Sequence, residues 1–395
     1  MAKDRARTIC GSGASAADET AVAVSAAIGQ AKGQLGGATP QLVFVFTSPR
    51  HPIEQVLREA KRLLPRADVV ASTTAGELTE RGLTRGGVAV MAIRWGEATH
   101  VAAVAGPPLS DVVAVARAIG GRFLDHTPEL ARHAACVLIG DGLAPELEKL
   151  VAELRKSPRH RHPIVGGGAG DDGKYESTAV GLNQTAQVGG MACVMVTSTR
   201  PWGVGVAHGL TPATKAMTVT RAAGNVVREL DGRPALDLYR DYARERGQEL
   251  DRLALPQFLV ENELGVLLFD EVLRVRAPLR ALEGGALFVA GEVPEGSSVC
   301  IVRGSESEII AAAQSAAEDA KDALDGAQPA GVLVFSCVCR GLVLGARYAE
   351  EIRAVQAVFP DVPIAGFSSY GEIASTKSRL DGYHNDTIVV AAIPE

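Results

Sequence analysis

Three acidic residues close short turns made mostly of small residues. Glu77 follows Ser72-Thr73-Thr74-Ala75-Gly76, Asp171 follows Gly166-Gly167-Gly168-Ala169-Gly170, and Glu372 follows Phe367-Ser368-Ser369-Tyr370-Gly371. Glycines there let backbone N–H groups turn inward, so each loop can present donors beside a carboxylate to a small zwitterion such as an amino acid. The same acids can instead cap their own loops or pair with an arginine. A second group lies toward the C-terminus: Cys337, Cys339 and Arg340 at the end of an apolar run, and His384 and Asn385 in a polar turn. The planar fork of Arg340 can hold a carboxylate through two parallel hydrogen bonds, with Glu372 as its structural alternative. Cys337 becomes a redox centre or nucleophile if Arg340 or His384 lowers its pKa, and is otherwise an inert buried thiol. His384 can touch a ligand, coordinate haem through its imidazole, or fix its own loop. The candidate ligand-binding residues are therefore Thr73, Thr74, Gly76, Glu77, Gly170, Asp171, Cys337, Arg340, Ser368, Ser369, Gly371, Glu372, His384 and Asn385.

Other chemistries lack their residues. There is no Gly-x-Ser-x-Gly elbow, no His-Glu-x-x-His pair and no phosphate loop ending in Gly-Lys-Ser/Thr. The glycine run at 166–170 follows the second strand of its unit, whereas a dinucleotide site wants it after the first. Cys337 and Cys339 have no second cysteine pair nearby, so no metal site is expected. The 40 Lys plus Arg stand against 46 Asp plus Glu, a net charge of −6 that offers no overall attraction to nucleic acid. The basic stretch 155–162 has no interleaved aromatics for base stacking and reads as a solvated loop. No apolar run reaches the roughly 18–20 residues of a membrane helix, and no signal-peptide pattern follows Lys3, Arg5 and Arg7. Six scattered cysteines do not make a disulfide framework, so a soluble, cytoplasmic protein with reduced thiols is expected.

The elements that must position these residues recur. A buried-strand run (Leu42 to Phe46), a helix with Ile53, Val56, Leu57 and Ala60 on one face, a short strand (Asp68 to Ala71), the acidic turn and a final strand (Val88 to Ile93) form one unit. The unit repeats from Val137 and again from Val332. Thr47 to Glu77 and Asp141 to Asp171 are each 30 positions, which sets Asp171 as the counterpart of Glu77. Ser336 to Glu372 is 36, so the third copy carries about six extra residues, with the cysteines and Arg340 among them. Between the second and third copies the sequence gives a strand at Met217 to Thr220, a turn at 230–234, a helix from Ala235 to about Arg246, and a hairpin joining Ala286–Ala290 to Val299–Val302. Ser305 and Glu308 read as a capping box. The expected fold is a mixed α/β (α+β) protein of two related lobes, mixed sheets layered with helices and built from β-α-β-loop-β units. Residues 1–14 are assigned to a tail, 15–205 to the first lobe and 206–395 to the second.

These motifs resemble those of the FIST proteins, whose N- and C-terminal FIST domains occur in prokaryotic signalling proteins and some eukaryotic F-box proteins. The N-terminal likeness rests on 72–77 and the glycine run. The C-terminal likeness is more specific: Thr218-Val219-Thr220 with Gly224-Asn225, Glu229 to Leu236, Val293 to Ser297, Cys337 with Arg340-Gly341, Gly371-Glu372, and His384 to Thr387. The resemblance implies a small-ligand sensory module in intracellular signal transduction, sensing compounds such as amino acids or small carboxylates, with a separate signalling protein carrying the output. Some members resemble haem-dependent nitric oxide sensors, so haem is the alternative cofactor; otherwise none is expected. A cysteine-dependent enzyme is the third reading.

Overall fold

The computed structural model describes residues 7–105, 111–124, 132–156, 162–268, 271–375 and 380–395. Of the basic stretch at 155–162, residues 157–161 lie outside these.

The fold is mixed α/β, as expected, and its organising device is a threefold repeat. In the first unit Leu42–Thr47 pairs in parallel with Asp68–Thr73 and antiparallel with Val88–Arg94. His133–Asp141, Ile164–Ala169 and Met191–Ser198 repeat this arrangement, as do Pro329–Cys337, Ile364–Ser369 and Ile388–Pro394. The strand after each acidic turn leaves its own sheet. Glu77–Thr79 pairs with Ile364–Ser369 of the third unit, Glu372–Ser375 with Ile164–Ala169 of the second, and Ala179–Leu182 with Asp68–Thr73 of the first. A matching ring of hydrogen bonds closes the cycle: Ala75 N–H donates to Ser368 O (3.0 Å), Tyr370 N–H to Gly168 O (2.9 Å) and Gly170 N–H to Thr73 O (3.1 Å). The three sheets face a common apolar core to which each unit contributes, with Phe46 and Phe335 both packed on Phe367. Helices cover the outer faces, Thr20–Gly33 and Ile53–Leu63 on the first sheet, and Glu306–Asp322 and Tyr348–Val358 on the third.

Several expectations are corrected. Residues 9–14, placed in the tail, belong to an edge strand, Ile9–Ser15, antiparallel to Val88–Arg94. Its composition, ICGSGAS, hides it: a Cβ on Gly11 would lie 2.1 Å from Ala31 O, so only small residues let the strand lie under the first helix. The glycines at 166–168 are strand rather than turn. A Cβ on Gly166 would meet Leu138 O at 1.8 Å and one on Gly168 would meet Tyr370 O at 2.4 Å, so glycine here permits strands to approach closely. Asp171 is not the counterpart of Glu77 and Glu372. Strand pairing sets Val180 opposite Ser72, as Glu77 stands opposite Phe367 and Glu372 opposite Gly167, because the second unit carries an extra loop between Gly170 and Ala179.

Residues 211–303 interrupt the third unit between the strand Gly203–Ala207 and the helix Glu306–Asp322, and build a nine-stranded sheet with its own core. The helix Ala235–Glu245 and the Ser305–Glu308 capping box are present as expected. The hairpin is not. Leu287–Val289 pairs with Val226–Leu230 and Pro278–Ala281, and Ser298–Arg303 with Glu263–Leu268 and Met217–Ala223, so two strands separate them. The extra residues of the third unit form a short helix, Val338–Leu344, ahead of Tyr348–Val358. Among the described residues no helix is long and apolar enough to cross a membrane.

Candidate functional site

Two of the acidic turns are closed structural devices. Glu77, fully buried, accepts hydrogen bonds from Thr74 Oγ1 (2.6 Å) and Gly87 N–H (3.0 Å). Burial pushes its carboxyl up to about 8 despite these donors. Glu372 repeats the geometry, accepting from Ser369 Oγ (2.7 Å), Thr387 Oγ1 (2.9 Å) and Thr387 N–H (3.2 Å), and burial likewise raises its pKa. Thr73 Oγ1 accepts from Ala179 N–H, and Ser368 shares a hydrogen bond with Tyr348. Gly76 and Gly371 take positive φ beside their acids, and Gly170 packs against Thr74 and Ala75.

Arg340 is committed elsewhere. It pairs with Glu351 at 2.8 Å, both fully buried, rather than with Glu372, and donates to the carbonyls of His208 (2.7 Å) and Ile309 (2.8 Å). Asp171 fixes the extra loop of the second unit. Burial works against its charge, but the Tyr370 hydroxyl and the N–H groups of Ser177, Glu176 and Tyr175 outweigh it and hold the carboxyl below its usual range. The loop carries Tyr175, with positive φ, onto Tyr370 in a stacked pair 4.6 Å apart.

That aromatic pair borders a cavity of about 840 Å³ between the second unit, the third unit and the inserted sheet. Residues 142–145 and Glu148 form one side; Cys337–Cys339, Tyr370, Gly371, Tyr383 and Asn385 the floor; and Glu263, 277–280 and 288–292 the roof. Cys337, Gly371 and Asn385 are thus the sequence candidates that line it. Thr73, Thr74, Gly76, Glu77, Gly170, Asp171, Arg340, Ser368, Ser369, Glu372 and His384 are not among its lining residues. The extra turn of helix delivers Cys337: it brings the thiol to the cavity while Arg340, on the same turn, faces the core.

The Cys337 sulfur is held by the Cys339 thiol and receives the N–H groups of Cys339 and Asp386, which with Arg340 bring its pKa down to about 7 against the cost of burial. Glu263 was not anticipated. It begins the strand Glu263–Leu268, is only 1% exposed, and neither carboxylate oxygen has a hydrogen-bond partner. Burial first, then Asp386 and Cys337, push its pKa well up; the Cys339 thiol stands beside it without hydrogen-bond geometry. Asn385 Oδ1 is likewise unpartnered. The one sequence signal for Glu263 is a carboxylate opening an apolar strand, which does not say what the strand faces. His384 is buried with both ring nitrogens unpartnered, and burial together with Arg276 and Arg274 lowers its pKa to about 3. Among the described residues no histidine lines the cavity, so the residues there do not fit a haem held by imidazole. Among the described residues no group of three or more metal-ligating side chains converges.

The described residues thus form a mixed α/β scaffold of repeated units, with a cavity of about 840 Å³ bordered by an inserted sheet. The family model of the FIST N domain matches residues 41–233 and that of the FIST C domain residues 235–375, so the chain belongs to the FIST family. FIST domains are sensory domains associated with signal transduction. No curated protein matches the chain.

Proposed function

We propose that this protein is an intracellular sensor that binds a small organic molecule in the cavity between the second unit, the third unit and the inserted sheet, and passes its occupancy to a separate signalling protein. The observation that carries this reading is a pair of buried side chains on the cavity lining. An otherwise largely apolar space exposes Glu263 and Asn385, two deeply buried side chains with unsatisfied acceptors. A buried polar atom without a partner costs about 1–3 kcal/mol, so a fold that keeps several on one cavity wall is arranged for an incoming group. The position supports it as well, because residues of both matched domains meet there: 142–145, Glu148, Lys149, Tyr175, Gly224 and Asn225 from the first, and Glu263, 277–280, 288–292 and Cys337–Cys339 among those from the second. A ligand spanning them would change how the inserted sheet sits on the repeat units.

The test is a thermal-shift screen against amino acids, small carboxylates and amines, run in parallel on Ala290→Trp, which places an indole in the cavity. A compound that binds only the folded state at 100 times its Kd stabilises it by about 2.7 kcal/mol. Stabilisation in the wild type that disappears in Ala290→Trp is the expected result. Stabilisation that survives it would move the site elsewhere, and none from the whole panel would turn the reading toward a protein-interaction scaffold.

A further inference from the structure

We infer that the cavity selects a ligand with a protonated nitrogen on an apolar body, an organic amine or amidine, with Glu263 as the group that recognises it. The inference rests on the proposed ligand-binding reading and adds the chemical class.

The unpartnered atoms that Glu263 and Asn385 bring to the cavity lining are oxygens, Oε1 and Oε2 of the first and Oδ1 of the second. Beside them the Cys337 sulfur already receives its backbone donors, and Asp386, whose Oδ1 is also unpartnered, lies close behind. The groups acting most strongly on Glu263 are acids and thiols, namely Asp386, Cys337, Cys339 and Glu372. The cations at and around the cavity are engaged with other partners: Arg340 with Glu351, Arg276 with Glu148, Lys149 with Glu292, and Arg280 over the Phe288 ring. An incoming carboxylate would add another acid to this group of acids, whereas an ammonium or amidinium supplies donors to the unpartnered oxygens and the opposite charge that lets Glu263 ionise. The walls suit the rest of such a molecule. Tyr175, Tyr370 and Tyr383 offer aromatic surface to a cation, and Leu279 and Leu342 offer an apolar lining to its body. This class differs from the small carboxylates that Arg340 suggested in the sequence, because Arg340 is turned away into its own ion pair.

The experiment compares molecules of one shape and three charges by calorimetry and thermal shift: 2-phenylethylamine with benzamidine, the neutral 2-phenylethanol, and 3-phenylpropionate. The amine or amidine should bind at least ~10-fold more tightly than the alcohol, and the carboxylate less tightly than the alcohol. Glu263→Gln should erase the preference for the cation while leaving the alcohol's affinity and the far-UV circular dichroism unchanged. Equal binding of amine and alcohol, tighter binding of the carboxylate, or a preference that survives Glu263→Gln would overturn the assignment while leaving the cavity as the site. If none of the four binds, the amine class is wrong; the wider screen with its Ala290→Trp control still judges separately whether the cavity receives a ligand.

Discussion

Glu372 and Glu263 are both carboxyl groups removed from water, 0% and 1% exposed, yet they have opposite surroundings. Glu372 lies in the strand swapped between the third and second units and is met by three donors, the same arrangement that surrounds Glu77 at the first unit's swap. Glu263 lies in the inserted sheet and is met by none. Burial alone does not mark a functional acid. The satisfied carboxylates lock the strand exits of the first and third units, whereas Glu263 lies outside the repeat and faces a cavity. Proteins keep such a cost where a site requires it.

The comparison can be broken in several ways. Its largest expected effect concerns Arg340: Arg340→Met leaves Glu351 buried without its partner and should destabilise the protein by about 3–5 kcal/mol in denaturant titration. A small loss would mean that Arg340 belongs with the ligand after all. Glu372→Ala strands the Ser369 hydroxyl and both Thr387 donors, and should cost about 1–3 kcal/mol. Glu263→Gln, at similar burial, should change stability by no more than about 1 kcal/mol, since no donor loses its partner and no charge needs to be desolvated. Equal losses for these two variants would erase the distinction. The smallest perturbation is chemical: at pH 7.5 iodoacetamide should label Cys337 more than ~10-fold faster than Cys300, whose pKa burial raises to about 11. The Cys337 rate should climb as pH passes through about 7, because the thiolate fraction grows there. An excess of cavity ligand should slow it, and labelling as slow as at Cys300 would mean that the thiol is closed off from the cavity.

Much of the scaffold was legible. Continuous apolar runs announced the buried strands Leu42–Thr47 and Pro329–Cys337, and Pro52 with the face Ile53, Val56, Leu57 and Ala60 announced the first unit's helix. The edge strand Ile9–Ser15 was not legible, since the small residues that fit it under a helix carry no strand pattern. Residue spacing equated Asp171 with Glu77 because length matching cannot see an inserted loop; only the partners across the sheet reveal it. Cys337, Gly371 and Asn385 were legible as site candidates, whereas Glu263 and Tyr175 were not, because neither belongs to the repeated turn.

By itself the sequence determined the repeating unit, the mixed α/β class, the family and the chemistry available at each turn, since periodicity, small-residue turns and motif order are local properties. The tertiary structure decided the exchange of strands among three sheets, the partner of Arg340, and the meeting of Glu263 with Cys337 and Asn385 across a shared cavity. These depend on which surfaces of distant segments come together, and a one-dimensional pattern does not encode which buried polar groups find partners and which are left facing open space.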